Sequence, residues 1–219
     1  MLIHPWDAAH DSDEWRAWLR THDFGLLAAN GVNGGPPVVV PTHFLFDGEE
    51  VALHLARPNP IWSAVEADPV VVVSVHDDYA YIPSTWRSDS PVPEEGVPTS
   101  YYASVQLTCR ARIVDDKEGK ADILRRQLAH HQPDGGYGEV AADAGPYRRR
   151  LSGIRGLLLE VMGVRAKFKY DDHRPVEFRR RVADGLAERD LPGDAGARAQ
   201  QLRRMARGGQ AHEQGGSGA

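Results

Sequence analysis

The sequence lacks the features that identify a secreted, membrane-spanning or disulfide-stabilised protein. Its 219 residues include one cysteine, Cys109, which excludes an intramolecular disulfide and a zinc site built from cysteines. No run approaches about 18 consecutive apolar residues, and the first residues have neither the basic nor the apolar region of a signal peptide. We therefore expect a cytoplasmic protein that has no membrane partner.

Common catalytic and nucleotide-binding motifs are also absent. The sequence contains no Gly-x-Gly-x-x-Gly, no P-loop, no Gly-x-Ser-x-Gly and no His-Glu-x-x-His. The formal net charge of −5 provides no overall attraction to nucleic acid, so the composition does not favour DNA as a partner. His130, His131 and His173 have no further ligand at a recognisable spacing, and we predict no metal site.

What the sequence does contain is a series of strand patterns joined by turns. The strand candidates are 24–30, 38–46, 51–56, 70–75, 101–114 and 154–170. Asp47-Gly48 is a two-residue turn signal, and the β-branched run 70–75 is typical of a strand buried on both faces. Helical patterns begin near Ser12 and cover 61–67, 117–131 and 175–188. This order predicts a mainly β, α+β fold, a closed antiparallel barrel with peripheral helices.

The end of the chain differs in composition from the rest. From Leu191 onward it is rich in Gly, Ala, Arg and Gln, with little apolar surface to bury. We therefore predict one domain over residues 1–188 and a flexible tail over 189–219.

The junction between strand 51–56 and the next helix has the composition of an anion site. Alternation places His54 on the face opposite Leu53 and Leu55. Asn59 is a predicted helix cap, and a helix start beside the guanidinium of Arg57 suits a phosphate. The alternative is that Asn59 only caps the helix while Arg57 stays in solvent.

Two further groups have the composition of ligand contacts. Several aromatic residues flank a Pro-rich loop, where they either stack on a flat ring or plug the end of a barrel: Tyr79, Tyr81, Trp86, Tyr101 and Tyr102. Alternation also places Arg165, Lys167 and Lys169 on one strand face, which either binds an anion or is solvated.

Four motifs occur in a fixed order along the chain: 54–62, 78–86, 97–102 and 167–169. In this order they resemble the motifs of the PaiB-like family of FMN-binding split-barrel proteins, often labelled negative transcriptional regulators. The resemblance covers residues 1–188. It implies a split barrel related to the pyridoxamine-phosphate oxidases, which binds FMN at the interface of a homodimer.

The resemblance also implies positions for the cofactor contacts. His54, Arg57 and Asn59 match the contacts to the ribityl phosphate, and Thr42 and His43 match residues nearby. The positions at the flavin edge are Tyr81, Ser84 and Trp86. Those around the dimer interface are Thr99, Tyr101 and Lys167. The sequence departs from the family pattern at 41–43 and at 100–101, where many members have tryptophan and asparagine.

The function that the resemblance implies is flavin binding, with its purpose left open. One reading is an FMN-dependent two-electron oxidoreductase with a small-molecule substrate. No side chain identifies itself as a catalytic acid or base, so none is assigned. The alternatives are a transcriptional regulator or sensor that uses flavin as its ligand, and a split barrel that binds haem or a deazaflavin instead.

Overall fold

The structure is a computed structural model that describes residues 1–215, and in this range the chain forms seven strands and five α-helices. The strands are β1 (Phe24–Ala29), β2 (Val38–His43), β3 (Leu45–Phe46), β4 (Glu50–Ala56), β5 (Val70–Ile82), β6 (Thr99–Val114) and β7 (Ile154–Lys169). The helices are α1 (Ser12–Leu19), α2 (Ile61–Ala67), α3 (Lys117–His131), α4 (Val176–Arg189) and α5 (Asp194–Gly215). The predicted mainly β class with peripheral helices is confirmed.

The seven strands form one sheet in the order β2-β1-β5-β6-β7-β4-β3. The predicted strand 38–46 is divided at Phe44, whose side chain is fully buried and whose amide donates to the Asp23 carbonyl (2.8 Å). Phe44 alone separates β2 from β3, so this one residue takes the chain from one edge of the sheet to the other. Because no ladder in the described range joins these edges, the predicted closed barrel is corrected to an open sheet of the split-barrel type.

The contacts divide the chain into two compact units, each built from segments that are distant in sequence. The first unit contains 1–11, 76–104 and the described residues from 166 onward, and the second contains 12–75 and 105–165. Strands β5, β6 and β7 contribute residues to both units.

The second unit packs α3 against the sheet. Its core includes Leu27, Leu53 and Leu107, each with no exposed surface. A Cβ atom at Gly156 would lie 2.5 Å from Cδ1 of Ile123, so this glycine allows α3 to approach β7 closely. Gly156 is paired with His54 in the regular β4–β7 ladder.

Strand β5 is buried on one face, which corrects the predicted burial on both. Val71, Val73 and Val75 are at most 2% exposed, whereas the alternate residues are half-buried. The half-buried face continues onto β1 and β2, because Ala28 pairs with Val72 on one side and with Val39 on the other. Val39 is 52% exposed, so this side of the sheet faces outward.

In the first unit, α5 packs against α4. Ala197, Gln201 and Arg204 of α5 are at most 1% exposed, and Arg204 Nε lies 2.5 Å from Oδ2 of Asp172. The flexible tail predicted over 189–219 is therefore wrong for this helix, which polar contacts hold in place. Residues 216–219 of that tail lie outside the described residues. Among the described helices, none combines the length and the apolar character needed to cross a membrane.

Candidate functional site

His54 in β4 and Gln127 in α3 form the centre of a polar site in the second unit. Nδ1 of His54 lies 2.6 Å from Oε1 of Gln127. With the amide oxygen as acceptor, Nδ1 carries the proton and Nε2 keeps a lone pair. Burial lowers the pKa of His54, while the Gln127 hydrogen bond opposes this shift. His54 is therefore neutral at pH 7.

Gln127 also has a donor without a partner. Its side chain is 2% exposed, and Nε2 has no hydrogen-bond partner among the described residues. A buried donor in this state costs about 1–3 kcal/mol, which an oxygen acceptor from a ligand would offset. A phosphate or a flavin carbonyl provides such an acceptor, so the residues around His54 fit FMN.

Thr42 and His43 lie at the end of β2, as the resemblance implied, but they face different sides. Thr42 is buried, and its hydroxyl donates to the carbonyl of His43 (3.0 Å). The ring of His43 is exposed and meets the rings of His54 and His131 edge-on, at centroid distances of 5.7 and 5.1 Å. The structure thus brings His43 and His54 together and directs the Thr42 hydroxyl to the backbone.

Arg57 is bound within the protein. Its guanidinium donates to the Ser152 carbonyl (2.8 Å), the Ile154 carbonyl (3.3 Å) and both carboxylate oxygens of Asp115 (2.5 and 3.3 Å). The hydrogen bond from Arg57 is the main cause that lowers the pKa of Asp115. The Arg57 side chain stays 43% exposed, as the alternative predicted, and these contacts also tie it to the start of β7. Its predicted contact with the phosphate stays a prediction.

Asn59 caps α2, as the sequence predicted. Its Oδ1 accepts a hydrogen bond from the amide of Ile61 (3.1 Å), and Pro60 has helical dihedral angles. The cap therefore occupies the Ile61 amide at the helix start, where the sequence predicted a phosphate. Asn59 therefore serves the helix in this structure, and its predicted phosphate contact stays a prediction.

The residues predicted at the flavin edge lie in the first unit. Tyr81 is 50% exposed, and Ser84 and Trp86 belong to a short 3-10 helix. The indole of Trp86 packs closely on α4, since a Cβ atom at Gly185 would lie 2.9 Å from Cδ2 of its ring. Arg189 also places its guanidinium 4.8 Å from the ring centroid. Trp86 thus anchors α4, and Tyr81 keeps an open face.

Tyr101 is a core residue, which does not agree with the contact predicted for it around the dimer interface. Its side chain has no exposed surface. The hydroxyl donates to Oδ2 of Asp171 (2.9 Å) and accepts from Nε2 of Gln201 (3.2 Å). Burial, reinforced by the Asp171 charge, raises the pKa of Tyr101. The strand sequence around Tyr101 did not indicate that α5 covers this side chain.

Lys167 and Lys169 lie at the ring of Tyr102, and Thr99 is a partner of Lys169. Lys169 Nζ donates to the Thr99 hydroxyl (2.7 Å), and Lys167 Nζ donates to the Leu2 carbonyl (2.9 Å). The two ammonium groups lie 6.0 and 5.5 Å from the Tyr102 ring centroid, respectively. Lys167 is 7% exposed, so of these two lysines Lys169 is the more open to a ligand.

A comparison with protein families decides the identity of the cofactor. Residues 1–163 match the family described as "Putative FMN-binding domain". The chain belongs to this FMN-binding family. The cofactor implied by the four motifs, FMN, is therefore confirmed.

One named protein is similar to this FMN-binding protein over most of its length. It is 27% identical over 198 residues to the Protease synthase and sporulation protein PAI 2 of Bacillus subtilis (strain 168), which covers 88% of this chain and 92% of that protein. The PaiB-like resemblance is thereby confirmed.

Solved structures resemble it in fold. The FAD and heme binding protein of Mycobacterium smegmatis has a TM-score of 0.57 at 19% identity, covering 74% of this chain and 73% of that one. The flavocytochrome Anf3 of Azotobacter vinelandii has a TM-score of 0.56 at 23% identity, covering 75% and 70%. At these identities the likeness concerns the fold, and it confirms the split-barrel architecture.

Sequence reasoning missed two polar residues of this FMN-binding protein. Gln127 holds His54, and Asp115 holds Arg57. Gln127 lies inside the helix predicted over 117–131, one turn before His130 and His131, and this spacing was the available signal. Asp115 directly follows a predicted strand, where an exposed acid is ordinary.

Proposed function

We propose that this chain is an FMN-dependent oxidoreductase that acts as a homodimer on a small-molecule substrate. The observation that carries the proposal is the buried, unpartnered Nε2 of Gln127 beside His54, in a chain of the FMN-binding family. FMN supplies two-electron hydride chemistry when it is bound. Two proteins of similar fold are named for flavin and haem, which agrees with a redox role.

The residues of this chain bind and orient the cofactor. Gln127 offers its N–H to an oxygen of FMN, and His54 offers the lone pair of Nε2 to a donor on the cofactor or substrate. The hydrogen bond between them fixes the ring and its tautomer. The ring of His43 packs edge-on against the ring of His54.

The homodimer is supported by the outward face of β1 and β2. Phe24 and Val39 are 62% and 52% exposed, and the ladder places them on one face with Pro41 and His43. Exposed apolar surface of this kind marks an interaction site. Because the face ends at His43, a second copy seated on it would border the site at His54. A cofactor between two subunits follows from this arrangement.

The absorbance spectrum of the purified protein is the first test. Bound FMN should produce a flavin band at about 450 nm, whereas haem or a deazaflavin would give a different spectrum. The second test is oxidation of NADH or NADPH with a quinone or dioxygen as acceptor. FMN-dependent turnover supports the proposal. If neither NADH nor NADPH reduces the bound FMN, with either a quinone or dioxygen as acceptor, the proposal is contradicted.

The dimer has its own test. A Val39→Glu variant should sediment as a monomer and bind FMN less tightly, because charge on the face opposes its burial. The matched control is Val32→Glu, another exposed valine outside these strands. If Val39→Glu leaves the protein dimeric and the control behaves alike, the face is not the interface. A wild-type monomer that binds FMN contradicts the homodimer.

A second candidate function is regulation. The PAI 2 relative, whose name refers to protease synthesis and sporulation, matches over 92% of its length. In this reading, flavin binding would change association with DNA. A gel shift at physiological salt separates the two functions: a sequence-specific, flavin-dependent shift without turnover favours the regulator.

A further inference from the structure

A cluster of metal-ligating side chains lies where α3 ends beside the start of β1. Nε2 of His130 lies 2.9 Å from Oδ2 of Asp23, and Nδ1 of His131 lies 3.3 Å from the same oxygen. One ligand atom from each of the three residues lies within 4.8 Å of the others. The two imidazoles and the carboxylate therefore converge on one point.

His130 and His131 reach Asp23 through different ring nitrogens. Neighbouring residues on a helix point about 100° apart, so they do not normally share a ligand. Here His130 reaches Asp23 with its distal nitrogen and His131 with its proximal nitrogen, which compensates for the different directions.

The distances suit a small divalent ion. Zinc binds histidine nitrogen and carboxylate oxygen at about 2.0–2.2 Å, so tetrahedral ligands lie about 3.3–3.6 Å apart. The His131 contact to Asp23, at 3.3 Å, has this separation. The His130 contact, at 2.9 Å, is shorter, so a small opening of the cluster would admit the ion. Two histidines, one carboxylate and a water form a familiar zinc ligand set.

The surroundings also favour a cation that water can reach. The C-terminal end of α3 carries the negative end of the helix dipole. About a third of each side chain is exposed, at 31% for His130, 29% for His131 and 40% for Asp23. The ring of His43 stands edge-on to His131 at 5.1 Å and covers one side. Imidazole and carboxylate together select transition metals over calcium or magnesium.

We propose that Asp23, His130 and His131 form a binding site for a divalent transition-metal ion of the zinc class. The ion would join the end of α3 to the residue that precedes β1, with water at the remaining position. The sequence predicted no metal site, and this proposal revises that prediction. Asp23 stands 107 positions before His130, so the spacing around the histidines did not reveal it. A bound ion would replace the two contacts that His130 and His131 make to Asp23 with three metal–ligand bonds.

Calorimetric titration of the full-length protein with zinc chloride, after dialysis against a chelator, tests the site. Wild type should bind one ion per chain with micromolar affinity or tighter, and zinc should raise its melting temperature. His131→Gln and Asp23→Asn should each weaken binding by more than the roughly 10- to 100-fold that loss of an outer-shell partner costs. His76→Gln, a change of an exposed histidine outside the cluster, should bind zinc like wild type.

Two outcomes overturn the proposal. One is wild-type protein that binds zinc no more tightly than the His131→Gln variant. The other is an X-ray absorption spectrum of the zinc-loaded wild type that shows sulfur or fewer than two imidazoles around the ion. The spectrum uses the native chain, so it decides the matter even if a variant folds poorly. Binding of FMN is a separate measurement, and its failure would leave the metal site unaffected.

Discussion

The two compact units hold their charged and polar side chains in opposite ways. In the first unit, Asp172 accepts from Arg179 and Arg204, both at 2.5 Å, and all three side chains are at most 11% exposed. In the second unit, the histidines around Asp23 are about a third exposed, and the Gln127 amide keeps an unpartnered donor. The buried ion pairs of the first unit fix the fold, although Nε of Arg179 and Oε1 of Gln201 also have no hydrogen-bond partner there. The partly exposed histidines of the second unit can instead accept a ligand.

The difference also concerns what each unit loses when one group is removed. A buried guanidinium that loses its carboxylate remains as an uncompensated charge, which is strongly destabilising. A half-exposed imidazole that loses its partner turns to water at little cost. We therefore expect mutations in the first unit to change stability, and those in the second to change binding.

The largest effect should follow from Asp172→Ala. Arg204 is 1% exposed and Arg179 is 5% exposed, so both would remain buried without their shared carboxylate. We expect a loss of about 3–5 kcal/mol in the free energy of unfolding, measured by urea denaturation. The control is Asp143→Ala, whose pair with Lys117 is exposed and should be worth about 1 kcal/mol or less. Equal losses for the two variants would contradict the buried network.

A smaller effect should follow from Gly96→Ala in the first unit. The new Cβ would lie 2.7 Å from the amide nitrogen of Ser88 and closer still to the Ser84 carbonyl, so the backbone must shift. We expect a loss of about 1–3 kcal/mol in thermal or urea unfolding. Gly153→Ala meets no atom within 4 Å and serves as the control. A Gly96→Ala protein as stable as this control would show that the loop adapts freely.

Local sequence patterns predicted the elements that surround the site. The turn at Asp47-Gly48, the alternation in β4 and the cap at Asn59 each depend on residues a few positions apart. The helix predicted over 117–131 has these bounds in the structure. Short-range geometry determines such features, so the sequence is sufficient for them.

Features that depend on distant partners were not predictable in the same way. The buried face of α5 contains Gln201 and Arg204, which resemble surface residues until their contacts with Tyr101 and Asp172 are known. The outward face of β5 likewise depends on which strands lie beside it. No periodicity in one segment encodes these pairings.

In the second unit, Gln127→Leu should weaken FMN binding about 10-fold, the scale of one hydrogen bond. Stability should change by about 1 kcal/mol or less, since the variant removes a donor that is already unpartnered and one bond to His54. Fluorescence titration with FMN measures the affinity. Unchanged affinity would remove Gln127 from the cofactor site.

The same titration decides the role of Arg57. If the phosphate takes the guanidinium from Asp115, Arg57→Ala should weaken FMN binding roughly 10- to 100-fold. Asp115→Asn should then strengthen binding, because it releases the guanidinium from its charged partner. If the Arg57→Ala protein binds FMN with normal affinity, Arg57 does not contact the phosphate, and its role is to hold the start of β7.

The smallest effect concerns pH and returns to the histidines of the second unit. Burial lowers the folded-state pKa of His54 below its ordinary value near 6.5, so the unfolded chain binds this proton more readily. The stability that neutral His54 contributes is fully present above that ordinary value and is lost as the pH falls through it toward the lowered pKa. Burial also lowers the pKa of His131, against the opposing charge of Asp23.

Urea unfolding between pH 8 and pH 5, in the presence of a chelator, should therefore show wild-type stability that declines with acid. His54→Gln should make this decline shallower, and a second change, His131→Gln, should make it shallower again. If the single variant follows the wild-type curve in parallel, His54 is not held neutral by burial, and its lone pair is not reserved for a ligand at pH 7.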